Sequence, residues 1–164
     1  MNLISSLGFI GGGKVAKHIV KSFLSAGIIK ANAIVAVTLV LEKCKFVFPA
    51  TQASVLPNVF KDISPAVTKN HLLASIAAGV TLDYLLTSLP DQTRVVRMML
   101  NSAVQIGEGV TTVSFGKFAR DEDHTLVHQL MSSVGYCNEV EERLMDLITT
   151  LTGRRRTRLC VPRT

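Results

Sequence analysis

The chain has 164 residues, of which 48% are hydrophobic, and this length is typical of one folded domain. Its formal net charge is +6, but five of the eighteen lysines and arginines follow Gly153, so the preceding residues are almost neutral. This distribution argues against a nucleic-acid-binding protein, and the longest uncharged apolar run, at residues 33–41, is too short to span a bilayer.

The chain start and the cysteines narrow the class of protein further. No basic start followed by a continuous apolar stretch marks a secretory signal, so we expect an intracellular protein in the cytoplasm, with the mitochondrion as the alternative compartment. Cys44, Cys137 and Cys160 show no CxxC or Cys/His spacing, which predicts reduced thiols and no metal site. We divide the chain into a folded domain, residues 1–153, and a basic, disordered tail, residues 154–164.

Short apolar runs alternate with helix-like periods along the domain. The patterns predict strands at residues 7–10, 33–37, from 46, 72–76, 93–98 and 109–115, and helices at 14–26, 55–63, 82–86 and 121–134. Only residues 38–45 separate the second and third strands, whereas parallel neighbours need a crossover of a dozen or more residues, so this connection is shortened. The alternation predicts an α/β, Rossmann-like, doubly wound and mainly parallel sheet with helices on both faces.

The stretch GFIGGGKVA lies between the first strand and the first helix. The residues Gly11, Gly13 and Ala16 form the G-x-G-x-x-G/A pattern. In this pattern, Gly11 allows a tight turn, Gly13 lets the backbone approach a pyrophosphate, and the small Ala16 lets helix and strand pack closely. Amide groups at the start of the helix would then face the anion. The alternative is a glycine-rich turn without a ligand, but the strand and helix on either side favour a dinucleotide.

The second strand indicates which dinucleotide binds. An acidic residue about twenty positions after the glycine pattern would bind the ribose hydroxyls of NAD, but Thr38 stands at that place. Nothing there repels a 2′-phosphate, so the sequence favours NADP(H) mildly, with NAD(H) as the alternative coenzyme.

Other polar residues suit structural roles. His124 and His128 stand four residues apart without a third ligand on their helix, which predicts an exposed helix face rather than a metal site, and no metal is expected. The acidic residues 121–123 suit a helix start, those at 139–142 suit a solvated face, and Cys137 suits a packed thiol.

Several longer segments, taken together, resemble one enzyme family. These are GFIGGGKVA, SVLPNVFKDISP, SIAAGVTLDYL, RVVRMMLN, GEGVT and SSVGYCNEVEERLMD, and in order and spacing they resemble the N-terminal domain of pyrroline-5-carboxylate reductase over residues 7–153. The resemblance implies NAD(P)H-dependent reduction of a C=N bond, which gives proline. It also implies a small imine substrate and a homo-oligomer built through a helical C-terminal domain.

The resemblance also assigns site residues, although no catalytic side chain. It implies that the coenzyme contacts the glycine loop, the loop after the third strand and an Ala-Ala-Gly turn, and that one asparagine serves the substrate. The substrate residue is Asn101. Together with Thr38, the coenzyme-binding residues are Ile10, Gly11, Gly12, Gly13, Lys14, Val15, Ala50, Thr51, Gln52, Ala53, Ala77, Ala78 and Gly79.

The sequence departs from the family pattern at particular places. Gln52 and Ala53 replace a usual lysine and proline, Leu100 replaces a proline, and a helix and strand of the family are missing after Val37. The sequence after Gly153 reads RRRTRLCVPRT instead of the start of the helical domain. A non-catalytic nucleotide-binding or regulatory module is therefore the alternative function.

Overall fold

The computed structural model describes residues 6–11, 13–29, 34–36 and 40–153, without the side chains of residues 34–36 and 151–153. Gly12, Thr38 and the basic tail lie outside the described residues. Within them, the strands are β1 (Leu7–Ile10), β2 (Ile34–Ala36), β3 (Phe46–Pro49), β4 (Leu72–Ser75), β5 (Arg94–Leu100), β6 (Gly109–Phe115) and β7 (Gly135–Glu139). The helices are α1 (Lys14–Ser25), α2 (Val40–Lys43), α3 (Leu56–Ile63), α4 (Leu82–Ser88), α5 (Asp121–Ser132) and α6 (Glu142–Gly153), with 3₁₀ helices at Ser64–Ala66 and Ser102–Ile106.

The strands form a single sheet in the order β2-β1-β3-β4-β5-β6-β7. Strands β1 to β5 pair in parallel, β6 runs antiparallel to β5, and β7 runs parallel to β6. In register, Phe9 of β1 stands opposite Ala36 of β2 and Phe48 of β3. The predicted mainly parallel α/β architecture is confirmed.

The shortened connection between β2 and β3 crosses over β1. The two strands are not neighbours, because β1 lies between them, and the four-residue helix α2 takes the place of a full crossover helix. A Cβ at Gly8 of β1 would collide with Val40 and would lie 3.1 Å from the Cβ of Cys44. The missing side chain at Gly8 therefore lets α2 lie directly against the strand.

The side chains of alternate strand residues form two hydrophobic cores, one on each face of the sheet. Phe46 and Phe48 of β3 pack with Phe23 of α1 on the first face, where α5 also lies. Val47, between them in sequence, packs on the second face with Phe60 of α3, and α2 and α4 complete that core. This alternation has the period of two that strand geometry requires, and it confirms helices on both faces.

Two buried arginines of β5 form ion pairs with the helices α5 and α6. The guanidinium of Arg94 lies 2.6 Å from the carboxylate of Asp123 at the start of α5. The side chain of Arg97 is 4% exposed and pairs with Glu142, at 3.1 Å, and with Asp146, both on α6. The acidic start predicted for α5 is thus present, and one of its carboxylates is buried rather than solvated.

The predicted environment of two histidines is wrong in part. Sequence reasoning missed β7, and this strand places Glu139 beside α5, where its carboxylate lies 3.0 Å from Nδ1 of His124 and 3.7 Å from Nε2 of His128. The histidines are therefore partly buried between a helix and a strand. On the same strand, Cys137 packs against the first core as predicted, and burial, followed by the charge of Glu139, raises the pKa of its thiol to about 11.

No helix within the described segments is both long and apolar enough to cross a bilayer. The histidine, cysteine, aspartate and glutamate side chains of those segments form no group of three or more that is arranged to hold a metal ion.

Candidate functional site

The predicted site residues gather at one edge of the sheet. Strands β1, β3, β4 and β5 run in parallel, so their carboxyl ends meet there. The glycine loop follows β1, residues 50–53 follow β3, residues 76–79 follow β4, and Asn101 follows β5. Ligands of open α/β sheets bind in the crevice outside the carboxyl ends of the strands.

The first glycine of the loop has a conformation that favours glycine. Gly11 has a φ of +101°, which side chains rarely adopt. A Cβ there would stand 2.8 Å from the methyl carbon of Thr51 and 2.9 Å from the carbonyl oxygen of Ala50. The backbone amide of Ala50 also donates to the carbonyl of Ile10 at 2.8 Å. The glycine loop and the loop after β3 are therefore packed together, as the predicted site requires.

Gly13, the second glycine of the G-x-G-x-x-G/A pattern, stands at the N-cap of α1. Gly13 has φ −64° and ψ 176°, no side chain caps the helix, and the first turn holds no acidic residue. Within the described residues, no side-chain cap and no first-turn carboxylate therefore neutralise the amide groups of that turn or the positive end of the helix dipole. Lys14, the first helical residue, is exposed and adds a positive charge. This end of α1 suits an anion.

A cavity of about 290 Å³ opens on one side of the glycine loop. Its wall joins Ile10 and Gly11 to residues of α2 and α3, which belong to the second face of the sheet. The lining is apolar except for Asp62 among the described residues. An apolar cavity with few polar groups is typical of a small-molecule or cofactor site.

A cavity of about 240 Å³ opens on the first face of the sheet. It brings together three predicted residues, Val15 of α1, Ala78 of the turn after β4 and Asn101 after β5. The side-chain oxygen of Asn101 accepts hydrogen bonds from the amides of Ala103 and Val110, at 3.2 and 3.1 Å. The side-chain nitrogen of Asn101 is thus the part of this residue that remains for a ligand.

Other predicted residues lie in different surroundings. Ala77 is buried in the second core rather than on a cavity wall, and Gly79 has a φ of +76° in an exposed turn. Gln52 and Ala53 are exposed, and the carbonyl of Gln52 accepts from the amide of Val55 at the start of α3.

Sequence reasoning missed several residues on the wall of the second cavity. They are His18, Ile76, Met99, Leu100, Ser102 and Val104. His18 follows Val15 by three residues and so lies on the same side of α1. The 3₁₀ helix after β5, which sequence patterns did not show, closes the cavity beside it.

Two buried hydroxyls near this edge have no hydrogen-bond partner within the described part of the chain. They are Oγ1 of Thr51, in the loop beside Gly11, and Oγ of Ser75, at the end of β4. An unpartnered hydroxyl at the glycine loop fits a site whose ligand completes the hydrogen bonding. The loop conformation, the uncapped helix start and this hydroxyl all fit a dinucleotide.

Comparison with known proteins agrees with this geometry. No protein-family profile matches the sequence. Pyrroline-5-carboxylate reductase 3 of Rattus norvegicus is 32% identical over 168 residues, which cover 90% of this chain and 61% of the relative. Pyrroline-5-carboxylate reductase 2 of Homo sapiens is 34% identical over 174 residues, which cover 90% of this chain and 54% of the relative. The chain thus spans about three fifths or less of these relatives.

The alignment lengths also indicate that this chain is shorter than the relative within the matched region. The rat alignment covers 168 positions, whereas 90% of this chain is about 148 residues, so about 20 positions of the relative lack a counterpart within the matched region. A deficit of this size agrees with the short helix α2 between β2 and β3.

Solved structures share the fold. The crystal structure of Plasmodium falciparum pyrroline carboxylate reductase with NADP bound superposes with a TM-score of 0.86 at 23% identity, over 93% of this chain and 64% of that chain. Prephenate dehydrogenase of A. aeolicus, in complex with hydroxyphenyl propionate and NAD+, gives a TM-score of 0.72 at 12% identity. In sequence, this chain is therefore similar to the named pyrroline-5-carboxylate reductases over about three fifths or less of their length, and it shares the fold of the solved structures.

Proposed function

We propose that this chain binds NADP(H) across the glycine loop, with NAD(H) as the alternative coenzyme. The observation that carries the proposal is the pair of cavities on opposite faces of the sheet, with Gly11 on the wall of one and Val15 on the wall of the other. A dinucleotide has two ring systems joined by a pyrophosphate, and this arrangement offers two cavities joined by an anion-binding loop. The adenosine then takes the cavity beside α2 and α3, and the nicotinamide takes the cavity beside Ala78 and Asn101.

The residues of the loop have separate tasks in this proposal. Amides at the start of α1 and the charge of Lys14 bind the pyrophosphate, and Gly13 leaves space for its approach, since the atom nearest to a Cβ there would be 3.9 Å away. Gly11 makes the turn that brings the loop against Ala50 and Thr51. Ala78, in the turn after β4, forms part of the wall on the nicotinamide side.

We further propose that the reaction served by this site is the reduction of pyrroline-5-carboxylate to proline, as in the named relatives. When bound, a nicotinamide coenzyme supplies the hydride for a C=N carbon. The chain's own part is to hold the ring between Val15 and Ala78 and to present the Asn101 amide nitrogen to the imine substrate. A homo-oligomer is proposed on the resemblance alone.

The experiment combines binding and turnover on one sample. Titration of NADPH, and separately of NADH, is followed by fluorescence, and the same sample is assayed for imine reduction. Binding with turnover supports a reductase, and binding without turnover supports the non-catalytic module. A chain that melts cooperatively but binds neither coenzyme would overturn the proposal.

A further inference from the structure

His18 lies on the wall of the 240 Å³ cavity and has no role in the function proposed so far. It stands one turn into α1 and shares the cavity with Val15, Ala78 and Asn101. Its side chain is neither fully buried nor fully exposed. A titratable ring in this place can contact whatever fills the cavity.

A hydrogen bond from the neighbouring 3₁₀ helix selects one tautomer of the neutral ring. The side-chain nitrogen of Gln105 lies 2.8 Å from Nδ1 of His18. An amide nitrogen only donates, so Nδ1 accepts, and the neutral ring carries its proton on Nε2. No other hydrogen-bond partner of the ring occurs among the described residues, so Nε2–H is the group left for a ligand.

The 3₁₀ helix that carries Gln105 is itself hydrogen-bonded to α1. The hydroxyl of Ser22 donates to the carbonyl of Val104 at 2.6 Å, inside the core. Val104 is 1% exposed and packs in the first core. The position of Gln105 beside His18 is therefore set before any ligand arrives.

The other polar groups of the cavity are donors as well. The oxygen of Asn101 is occupied by two backbone amides, which leaves its NH₂ group, and Ser102 adds a hydroxyl to the wall. No carboxylate lines this cavity in the described segments. Donors among apolar walls suit a ring that bears acceptor oxygens, such as a carboxylate or a carboxamide.

We propose that His18 donates a hydrogen bond from Nε2 to a carboxylate or carboxamide oxygen of the ligand, and that Gln105 is a positioning residue for it. The oxygen belongs either to the nicotinamide carboxamide or to the carboxylate of the cyclic imino acid. This inference rests on the proposed function, because it takes the cavity to hold one of those groups. It adds a specificity-determining residue outside the glycine loop.

The test compares His18→Phe, which keeps a ring without a donor, with His18→Gln, which keeps an N–H at similar reach. The probes are NADPH, 2′-phospho-ADP-ribose, which lacks the nicotinamide, and L-proline. We expect His18→Phe to weaken one nicotinamide- or carboxylate-bearing probe about 3- to 10-fold, the range of one hydrogen bond, and His18→Gln to restore most of it. Loss with NADPH but not with 2′-phospho-ADP-ribose identifies the carboxamide, and loss with L-proline identifies the carboxylate.

The matched control is His128→Phe, because His128 is a partly buried histidine on α5 whose Nε2 lies 3.7 Å from the Glu139 carboxylate, away from the cavity. It should leave all three affinities unchanged. Gln105→Leu should weaken the affected probe less than His18→Phe does, and ¹⁵N spectra of the ring should then show a mixture of tautomers in place of the Nε2–H form.

The outcomes separate this inference from the proposed function. If wild type binds a probe and His18→Phe binds it equally well, the inference alone is overturned. A wild-type chain that binds neither NADPH nor L-proline overturns both. Should His18→Phe fail to melt cooperatively, the ¹⁵N shift of Nε2 in wild type decides, since a ligand that leaves it unmoved contradicts the proposed bond.

Discussion

Replacement by alanine should have different effects at two of the loop glycines, Gly11 and Gly13. At Gly11, alanine would adopt a φ of +101°, with its Cβ 2.8 Å from the methyl carbon of Thr51 and 2.9 Å from the carbonyl oxygen of Ala50. Backbone strain of about 1–2 kcal/mol and overpacking of about 1–3 kcal/mol together lower the free energy of unfolding by about 3 kcal/mol. For a chain of this size, the melting temperature falls by about 6–12 °C.

At Gly13, the same substitution leaves the fold almost unchanged. The φ of −64° is open to alanine, and the atom nearest to the new Cβ is 3.9 Å away. The loss of a preferred N-cap residue lowers the free energy of unfolding by about 0.5 kcal/mol. The methyl group instead occupies the approach of the pyrophosphate, so coenzyme affinity falls by about 10-fold or more, comparable to one charge-assisted hydrogen bond.

The assay is a thermal melt of each variant, together with an NADPH titration by fluorescence at a temperature where both are folded. We expect Gly11→Ala to lose stability and Gly13→Ala to lose affinity at near-wild-type stability. Equal destabilisation of the two variants would refute the reading of the loop geometry, and full coenzyme affinity in Gly13→Ala would refute the placement of the pyrophosphate.

Three further predictions concern the rest of the fold. Arg97→Leu should lower the free energy of unfolding by about 2 kcal/mol. This is less than the cost of breaking a fully buried ion pair, because the carboxylate partners on α6 are partly exposed. Amide hydrogen exchange should rise in α6, and unchanged exchange there would contradict the prediction. The Cys137 thiol should react slowly with iodoacetamide below its folded-state pKa of about 11, and an alkylation rate that levels off near pH 9 would contradict this. Because folding raises this pKa, the contribution of the thiol to stability is full below the unfolded-state pKa and is lost as pH rises towards 11. Ser75→Ala removes a buried hydroxyl that has no hydrogen-bond partner in the described segments. A thermal melt should therefore show a free energy of unfolding that is unchanged or raised by about 1 kcal/mol, whereas a loss of about 1 kcal/mol would mean that the hydroxyl has a partner.

The sequence by itself determined much of the first part of the molecule. The strand at residues 7–10 and the helix after the glycine loop follow from local signals, namely an apolar run, three glycines and a helical period. Such features depend on neighbours in the chain, so they can be read without the fold. The short connection after residue 37 was also visible, because crossover length is a property of the chain.

Only the tertiary structure decided which segments meet. Strand β3 pairs with β1 rather than with β2, and β6 turns antiparallel, because pairing depends on contacts between distant residues. The polar-looking strand β7 and the 3₁₀ helix after β5 have weak local patterns and are held by packing against α5 and α1.

The same distinction applies to the candidate site. The glycine pattern predicted an anion-binding loop from sequence alone. The placement of His18 next to Gln105, 87 positions apart in the chain, needed the packing of the 3₁₀ helix on α1. Local sequence fixes backbone conformation at a loop, whereas a cavity wall is assembled from several elements whose relative positions the two cores determine.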